Sequence, residues 1–354
     1  MYDVIVVGAG PAGAIAAKKC ADLGLNTLIL EKKTLPRDKL CSGMVMGAMA
    51  QEIVREEFGT IPEEVLTTPA YLSGIMAHVP GLEPAVVSQR MPFAWRRELD
   101  FWMTKKALQS GAEVRDKSNV TSLEVSDDSC KVGLGREYLE TKFVVGADGA
   151  GSTIRKLIFP ETRVVCRPTY RECYNGNLSL DPNYFHWFLP LSCLRPRFDV
   201  NFKGGYFLLE GSLKELKDEI IQSLQPYGFS WQMQPLWQDG SLSGARLEGL
   251  PGSFIPVRGN ILLAGDAALM QLNVSGEGIG TALKSGRLAA LSLAEAMSSK
   301  DSLDVIYRRH LEPMVNTLQE VNLWRTKIEE ASRESPAALL AAFSDGLRAT
   351  LDLE

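Results

Sequence analysis

Glycines at positions 8, 10 and 13, carboxylates at Glu31, Asp148 and Asp266, and a thiol at Cys41 are the residues of this chain whose types and spacing could do chemistry. The glycines form the run Gly8-Ala9-Gly10-Pro11-Ala12-Gly13. In such a run the first glycine permits a tight turn and the second lets the backbone approach a pyrophosphate. The third lets a helix pack close to a strand. The helix N-terminus that follows offers unpaired N–H groups to phosphate oxygens. Glu31 stands where an acid accepts hydrogen bonds from a ribose 2′-hydroxyl and repels a 2′-phosphate. Lys32 then opens a polar loop, residues 32–43, in which Arg37 and Lys39 precede Cys41-Ser42-Gly43. Those cations favour a thiolate at Cys41; the plainer reading is a small buried hydrophobe.

These residues need a frame to hold them. Tyr2–Val7 is an apolar, β-branched run suited to a buried parallel strand, and residues 14–23 are an alanine-rich helical stretch. Thr27–Leu30 is a second strand, ending at Glu31. Residues 142–147 form another and run into Asp148-Gly149-Ala150-Gly151-Ser152. Residues 260–264 end at Gly265-Asp266-Ala267-Ala268, and NVSGEGIG (273–280), with Gly276, Gly278 and Ile279, opens a long helix to Met297. Small residues and acids thus converge on one strand-end edge, where ligands bind in open α/β sheets. The fold class is α/β. An NAD domain would follow Glu31 with another regular βα unit. The polar loop and the wide separation of the segments instead predict a longer dinucleotide, with substrate elements inserted between its binding segments.

A further stretch, DPNYFHWFLP at 181–190, sets Tyr184, Phe185, Trp187 and Phe188 around His186. It is either a strand burying aromatics or the wall of a pocket for a flat or apolar substrate. Strand alternation puts Phe185 and Trp187 on one face and His186 with Phe188 on the other. His78 and His310 have no supporting constellation. The formal charge of -5 argues against a nucleic-acid partner. Six dispersed cysteines without a CxxC pair predict no metal site and a reducing, cytoplasmic setting. The N-terminus lacks the positive region of a signal peptide. No run approaches the roughly 18 apolar residues of a spanning helix, so membrane contact is expected to be peripheral at most.

The rest of the chain reads as a second lobe and a helical tail. Strands are expected within 71–90, at 118–125 and 131–135, and across 166–209, with a helix over 212–224 capped by Ser212. Residues 304–330 read as a helix broken or bent at Pro313, and 336–349 as another. Leu339, Leu340 and Phe343 form an apolar cluster suited to packing on the first lobe or covering a channel. The expected division is 1–70, 95–158 and 255–300 for the nucleotide-binding domain, 71–94 and 159–254 for the substrate lobe, and 301–354 for the tail.

GAGPAG with Glu31, GADGAGS at 146–152, and GDAA at 265–268 followed by SGEGI resemble the three-part FAD signature of the flavoprotein hydroxylase superfamily. The resemblance implies a Rossmann-like FAD domain of the glutathione-reductase and p-hydroxybenzoate-hydroxylase type, with an inserted α+β substrate domain. It further implies that Asp148 organises the pyrophosphate region, that Asp266 bonds the ribityl chain, and that the glycine-rich helix start at 276–280 approaches the pyrophosphate and flavin pyrimidine. Arg96 matches the arginine preceding the helix after the inserted strands, with Arg97 its neighbour and rival. The implied cofactor set is Gly8, Gly10, Pro11, Ala12, Gly13, Glu31, Lys32, Arg37, Cys41, Ser42, Gly43, Arg96, Val120, Asp148, Gly149, Gly265, Asp266, Gly276, Gly278 and Ile279.

Within that superfamily, Arg37-Asp38-Lys39-Leu40-Cys41-Ser42-Gly43 resembles the RxKxCxG segment of the geranylgeranyl reductase family. FHWFLP at 185–190 is similar to its YxWxFP motif, with Phe185 for tyrosine and Leu189 for phenylalanine. Members of that family use reduced FAD to saturate an isolated carbon–carbon double bond. The resemblance therefore implies an apolar or prenylated substrate, with NAD(P)H or an electron-donor protein as reductant and Cys41, Phe185 and Trp187 at the reaction site. Two departures stand out: Phe185 lacks the phenol, and Val274 replaces a proline common before the SGEGI-like turn. The competing expectation is an aromatic hydroxylase using NAD(P)H and oxygen, which shares the FAD framework.

Overall fold

The computed structural model describes residues 1–126, 128–189, 198–211, 216–247, 254–272 and 274–353. Two sheets organise them. The first has the strand order Val257–Arg258, Ile261–Leu263, Glu137–Gly146, Tyr2–Val7, Thr27–Leu30 and Glu113–Arg115. From Ile261–Leu263 onward every neighbouring pair is parallel. Val4 to Val7 are buried, as a strand covered on both faces requires. The lower half of Glu137–Gly146 turns to another partner, Cys130–Leu134, which in turn pairs with Ser122–Val125.

Register explains where the site must lie. Val7 pairs with Leu30 and Gly146, Gly146 with Leu263, and Leu30 with Arg115. Five parallel strands therefore end on one level, and the segments that leave them start side by side. Gly8, Glu31, Asp116, Ala147 and Ala264 are the first residues beyond that level. The expected strand at 118–125 begins at Ser122, because the preceding residues form a loop tied by Ser118 N–H to the Glu31 carbonyl at 2.8 Å.

The second sheet has the order Trp237–Leu247, Val164–Asn175, Tyr206–Gly211, Phe198–Lys203, Tyr184–Phe188, Leu66–His78 and Ala85–Ala94. Its pairs are antiparallel except Tyr184–Phe188 with Leu66–His78. One face carries Phe188, Phe198, Val200, Phe207 and Leu209, packed with Leu216, Ile220 and Leu224 around the helix Lys217–Leu224. The expected cap for that helix, Ser212, lies outside the described residues. The opposite face, with Phe185, Trp187 and Leu189, joins the core of the first lobe.

The helix Pro11–Asp22 lies against Ile279–Ala296, and Gly286 makes this possible: a Cβ there would sit 2.3 Å from the Ala12 carbonyl oxygen. The helix Leu303–Glu334 runs through Pro313 without the expected break. The proline forgoes one backbone bond, but buried Leu311 and Met314 before and after it keep both segments packed. The last helix, Pro336–Leu353, places Phe343 against Trp187 with ring centroids 5.5 Å apart.

Candidate active site

A cavity of about 630 Å³ opens at the shared strand-end level and runs between the two sheets. Gly10 caps the helix Pro11–Asp22 with Pro11 in its first turn and no side-chain cap, so its leading N–H groups are left for a ligand. Gly8 has φ +107, and a Cβ there would meet the Ala147 carbonyl oxygen at 2.4 Å. Gly13 does not line the cavity; a Cβ on it would lie 1.8 Å from the Gly8 carbonyl oxygen, so its part is close packing of helix on strand.

Glu31 is 4% exposed and ends the second strand. Its carboxylate accepts from Ala9 N–H at 3.1 Å, Lys33 N–H at 3.0 Å and Arg37 Nε at 2.9 Å. Arg37 also reaches Asp100 at 3.3 Å. Arg96 forms a two-pronged pair with Asp100, at 2.7 and 2.9 Å. Burial opposes the Arg96 charge, but Asp100 and Cys41 outweigh it and hold the guanidinium above its ordinary value. Arg97 is exposed beside Asp38, so Arg96 rather than its neighbour faces the cavity. Lys39 is pushed down by burial and by Arg96. Lys32 and Val120 line the same end.

Asp148 and Gly149 line the cavity, yet the Asp148 carboxylate is directed at its own loop. It accepts from Ser152 Oγ at 2.5 Å and Thr153 N–H at 2.6 Å, fixing the start of the helix Thr153–Ile158. Arg155 then donates to the Ala150 carbonyl at 2.6 Å and the Ala267 carbonyl at 2.9 Å, tying two strand-end loops together. Gly265, at φ +60, sits behind the cavity with its N–H on Ser285 Oγ at 2.8 Å. Asp266 faces the cavity, and burial raises its carboxyl while Lys39, Arg96 and Arg155 pull it back. Gly276, Gly278 and Ile279 complete the wall. Glu277 is raised to about 7 by burial, against the N–H groups of Gly280 and Ile279.

This architecture fits FAD. Cβ atoms at Gly149, Gly151 and Gly276 would meet nothing within 4 Å, so the wall is held back from the space a long ligand would fill. One end supplies a carboxylate for a ribose. Arg37, Lys39, Arg96 and an open helix terminus are available for phosphates, and the wall of the second sheet adds the aromatic rings of Phe185 and Trp187 beside Asp199 and Glu210.

Phe185 and Trp187, edge-to-face at 5.8 Å, line the cavity together with Cys41 and Ser42. His186 points away: its Nδ1 lies 3.0 Å from His78 Nε2, and its Nε2 meets the Asp181 carbonyl at 2.8 Å. His78 therefore has a partner that sequence order concealed, 108 residues away. Gly43, at φ +78, is pressed against the Ala94 carbonyl; a Cβ would lie 2.0 Å from it.

Sequence reading missed a buried ionic row on the same sheet face. Asp199, Asn201 and Lys203 alternate along Phe198–Lys203, Glu210 pairs with Asp199 in register, and Arg171 pairs with Glu210. Lys203, 1% exposed, donates to the Ser42 carbonyl at 2.5 Å and the Ala94 carbonyl at 3.0 Å. Its ammonium lies 4.4 Å from the Phe93 ring and 4.3 Å from the Trp95 ring. Burial lowers it to about 7. Arg171 grips Asp239 at 2.7 and 3.2 Å and reaches the Cys41 carbonyl at 3.4 Å. The signal was present as strict polar–apolar alternation in FDVNFK, but nothing in sequence said that the polar face pointed inward.

The model of the FAD binding domain matches residues 1–164. Over 87% of this chain and 80% of the relative's length, the sequence is 27% identical to digeranylgeranylglycerophospholipid reductase from Methanosarcina acetivorans. The enzyme of the same name from Methanocaldococcus jannaschii is 26% identical over 98% of this chain and 92% of its own. Among solved structures, a geranylgeranyl bacteriochlorophyll reductase-like protein from Thermoplasma acidophilum superposes with a TM-score of 0.75 at 21% identity, covering 96% of this chain and 95% of that one. A flavin-dependent brominase superposes with a TM-score of 0.72 at 16% identity, covering 98% and 96%. The fold is thus shared with flavoproteins of different chemistry, and only the site residues can separate them.

Proposed function

We propose that this chain is an FAD-dependent oxidoreductase of the geranylgeranyl reductase type that saturates carbon–carbon double bonds of a prenylated substrate, a reading supported by its likeness to the digeranylgeranylglycerophospholipid reductases. FAD is its cofactor. The observation that carries the substrate reading is the continuity of the cavity. One cavity is lined by Glu31, Gly10, Asp266, Cys41, Phe185 and Trp187 alike. Bound and reduced, FAD supplies a hydride to one carbon of the double bond.

The chain's own residues do the rest. Phe185 and Trp187 give an apolar, water-poor surface against which an uncharged alkene can lie. Phe343 backs Trp187 and fixes its ring. Lys203 and Arg171 hold the carbonyls of Ser42 and Cys41, setting the loop that carries the thiol. Asp148, through the start of its helix, and Arg155, through Ala150 and Ala267, set the two loops expected to take the pyrophosphate and ribityl chain. The electron donor in this reading is NAD(P)H or a donor protein. No helix among the described residues is long and apolar enough to cross a membrane.

The test is anaerobic reduction of the FAD-loaded protein, followed by flavin reoxidation with prenylated lipids or quinones and mass measurement of the product. The expected product gains two hydrogens without oxygen. Reoxidation that requires oxygen, with an oxygen atom gained by the product, would assign the protein to the hydroxylases. Cys41→Ser is expected to keep FAD and slow product formation; unchanged turnover would remove the thiol from the reaction.

A further inference from the structure

Reduction of an isolated alkene needs a proton as well as a hydride, and Cys41 is one candidate to supply it. The sheet above the cavity offers another group. Asp199 stands opposite Trp187 on one neighbouring strand and opposite Glu210 on the other. Both carboxyls line the cavity, on the same wall as Phe185 and Trp187. Asp199 Oδ1 is buried and, among the described residues, has no hydrogen-bond partner. Glu210 is 5% exposed, and its Oε1 likewise has no hydrogen-bond partner among them, with Arg171 3.8 Å away.

The cations nearby are engaged elsewhere. Lys203 spends its donors on the carbonyls of Ser42 and Ala94, and Arg171 holds Asp239 in a two-pronged pair and reaches the Cys41 carbonyl. The groups facing Asp199 are Glu210, Asn201, Arg171 and Cys41. Burial first, then Glu210 and Cys41, raise the Asp199 carboxyl well above its ordinary range; Asn201 and Arg171 offset only part of this. Glu210 is raised by burial too, against Arg171 and Lys203. Two adjacent carboxyls whose nearest guanidinium, Arg171, is shared with Asp239 cannot both ionise cheaply, so one proton is retained in the pair.

We propose that Asp199 is the acid of the reduction: it holds the proton of the Asp199–Glu210 pair and delivers it to the alkene carbon that does not receive the hydride, with the Glu210 carboxylate beside it keeping the proton on Asp199. The inference rests on the alkene-reductase reading. In the step, the alkene π pair forms a new C–H bond to the Asp199 proton as the Oδ–H bond breaks, leaving a carboxylate. The hydride for the other carbon comes from reduced flavin, recharged by a two-electron donor of the NAD(P)H class. The Asp199–Glu210 pair then recovers its single proton from water that reaches the cavity once the product has left.

The experiment compares the FAD-loaded wild type with Asp199→Asn and Asp199→Glu, using infrared difference spectra, anaerobic flavin reduction and product formation from a prenylated lipid. The expected wild-type spectrum shows a protonated-carboxyl band that Asp199→Asn removes. Product formation in Asp199→Asn is expected to fall by about 10²-fold or more, with FAD binding and flavin reduction unchanged, and Asp199→Glu to recover part of the rate. A wild type that forms saturated product while Asp199→Asn keeps its rate, or a spectrum with no band assignable to Asp199, overturns the assignment and leaves the reductase reading intact. A wild type that forms no saturated product from any alkenyl substrate overturns both. Loss of FAD from both variants would make Asp199 a structural residue and also overturn the assignment.

Discussion

Replacing Lys203 by methionine separates the stability of this fold from the positioning of its site. Lys203 is buried among Phe93, Trp95 and the carbonyls of Ser42 and Ala94. Its ammonium is lowered from 10.5 to about 7, chiefly by burial, with Glu210 and Cys41 opposing. A shift of that size corresponds to about 5 kcal/mol between the two protonation states, of which about 4 kcal/mol opposes folding at pH 7. Methionine removes that opposition and keeps an apolar stem. It also leaves two buried carbonyls unpaired, at about 1–3 kcal/mol each. The terms nearly cancel, so the expected change at neutral pH is within about 2 kcal/mol.

The pH dependence gives the sign. Between the folded value near 7 and the unfolded value of 10.5, the unfolded chain binds more protons at this residue. Wild-type stability therefore gains a contribution as pH rises through that window, by up to about 1.4 kcal/mol per unit. Lys203→Met lacks it. Urea unfolding of the FAD-free proteins from about pH 7 to about pH 10 should show the variant falling behind by about 3 kcal/mol, since other groups titrate alike in both. FAD affinity, measured at pH 7, should fall by about tenfold or more because the Ser42–Gly43 turn loses its anchor. A stability difference that stays constant with pH would refute the buried, proton-poor lysine. Undiminished FAD affinity would refute its role as anchor.

Gly13→Ala is expected to yield protein that folds but does not retain FAD, because the added Cβ would lie 1.8 Å from the Gly8 carbonyl oxygen and force helix from strand; flavin absorbance after gel filtration measures it. Phe343→Ala should cost about 3–5 kcal/mol in urea unfolding and raise KM for a prenylated substrate, since it removes a fully buried ring from behind Trp187. His78 is lowered to about 3, mainly by burial and secondly by His186. Between that value and 6.5 the unfolded state binds the extra proton, so stability should fall as pH drops below 6.5, by up to about 1.4 kcal/mol per unit. His78→Asn should flatten the slope measured from about pH 7 to pH 4.5.

The cofactor half was legible because its constraints are local. A turn at Gly8, a close approach at Gly13 and an acid at the end of the next strand each follow from a few consecutive residues, and parallel pairing then sets the strand ends level. The facing of Phe185 and Trp187 was legible for the same reason, through alternation within one strand. What sequence concealed depends on contacts across 100 residues or more: His78 with His186, Arg155 with Ala267, Lys203 with Ser42. An aspartate, an asparagine and a lysine alternating along one strand ordinarily mark a solvated face. Here that face is turned toward another lobe, and no local pattern records which side of a sheet will be covered.

That inward turn is also what joins the two halves of the site. The loop carrying Cys41 leaves the nucleotide-binding sheet, but its carbonyls at 41 and 42 are held by Arg171 and Lys203 of the other sheet. A purely apolar interface could bury the same area without fixing the loop, because hydrophobic contact is non-directional. Donors aimed at two successive carbonyls specify its position, and the aromatic rings beside Lys203 limit where the ammonium can go. The same burial that makes those cations costly leaves Asp199 and Glu210 holding a proton above the cavity. Positioning of the Cys41 loop and retention of an acid thus have one physical origin, a charged sheet face closed over by the cofactor lobe.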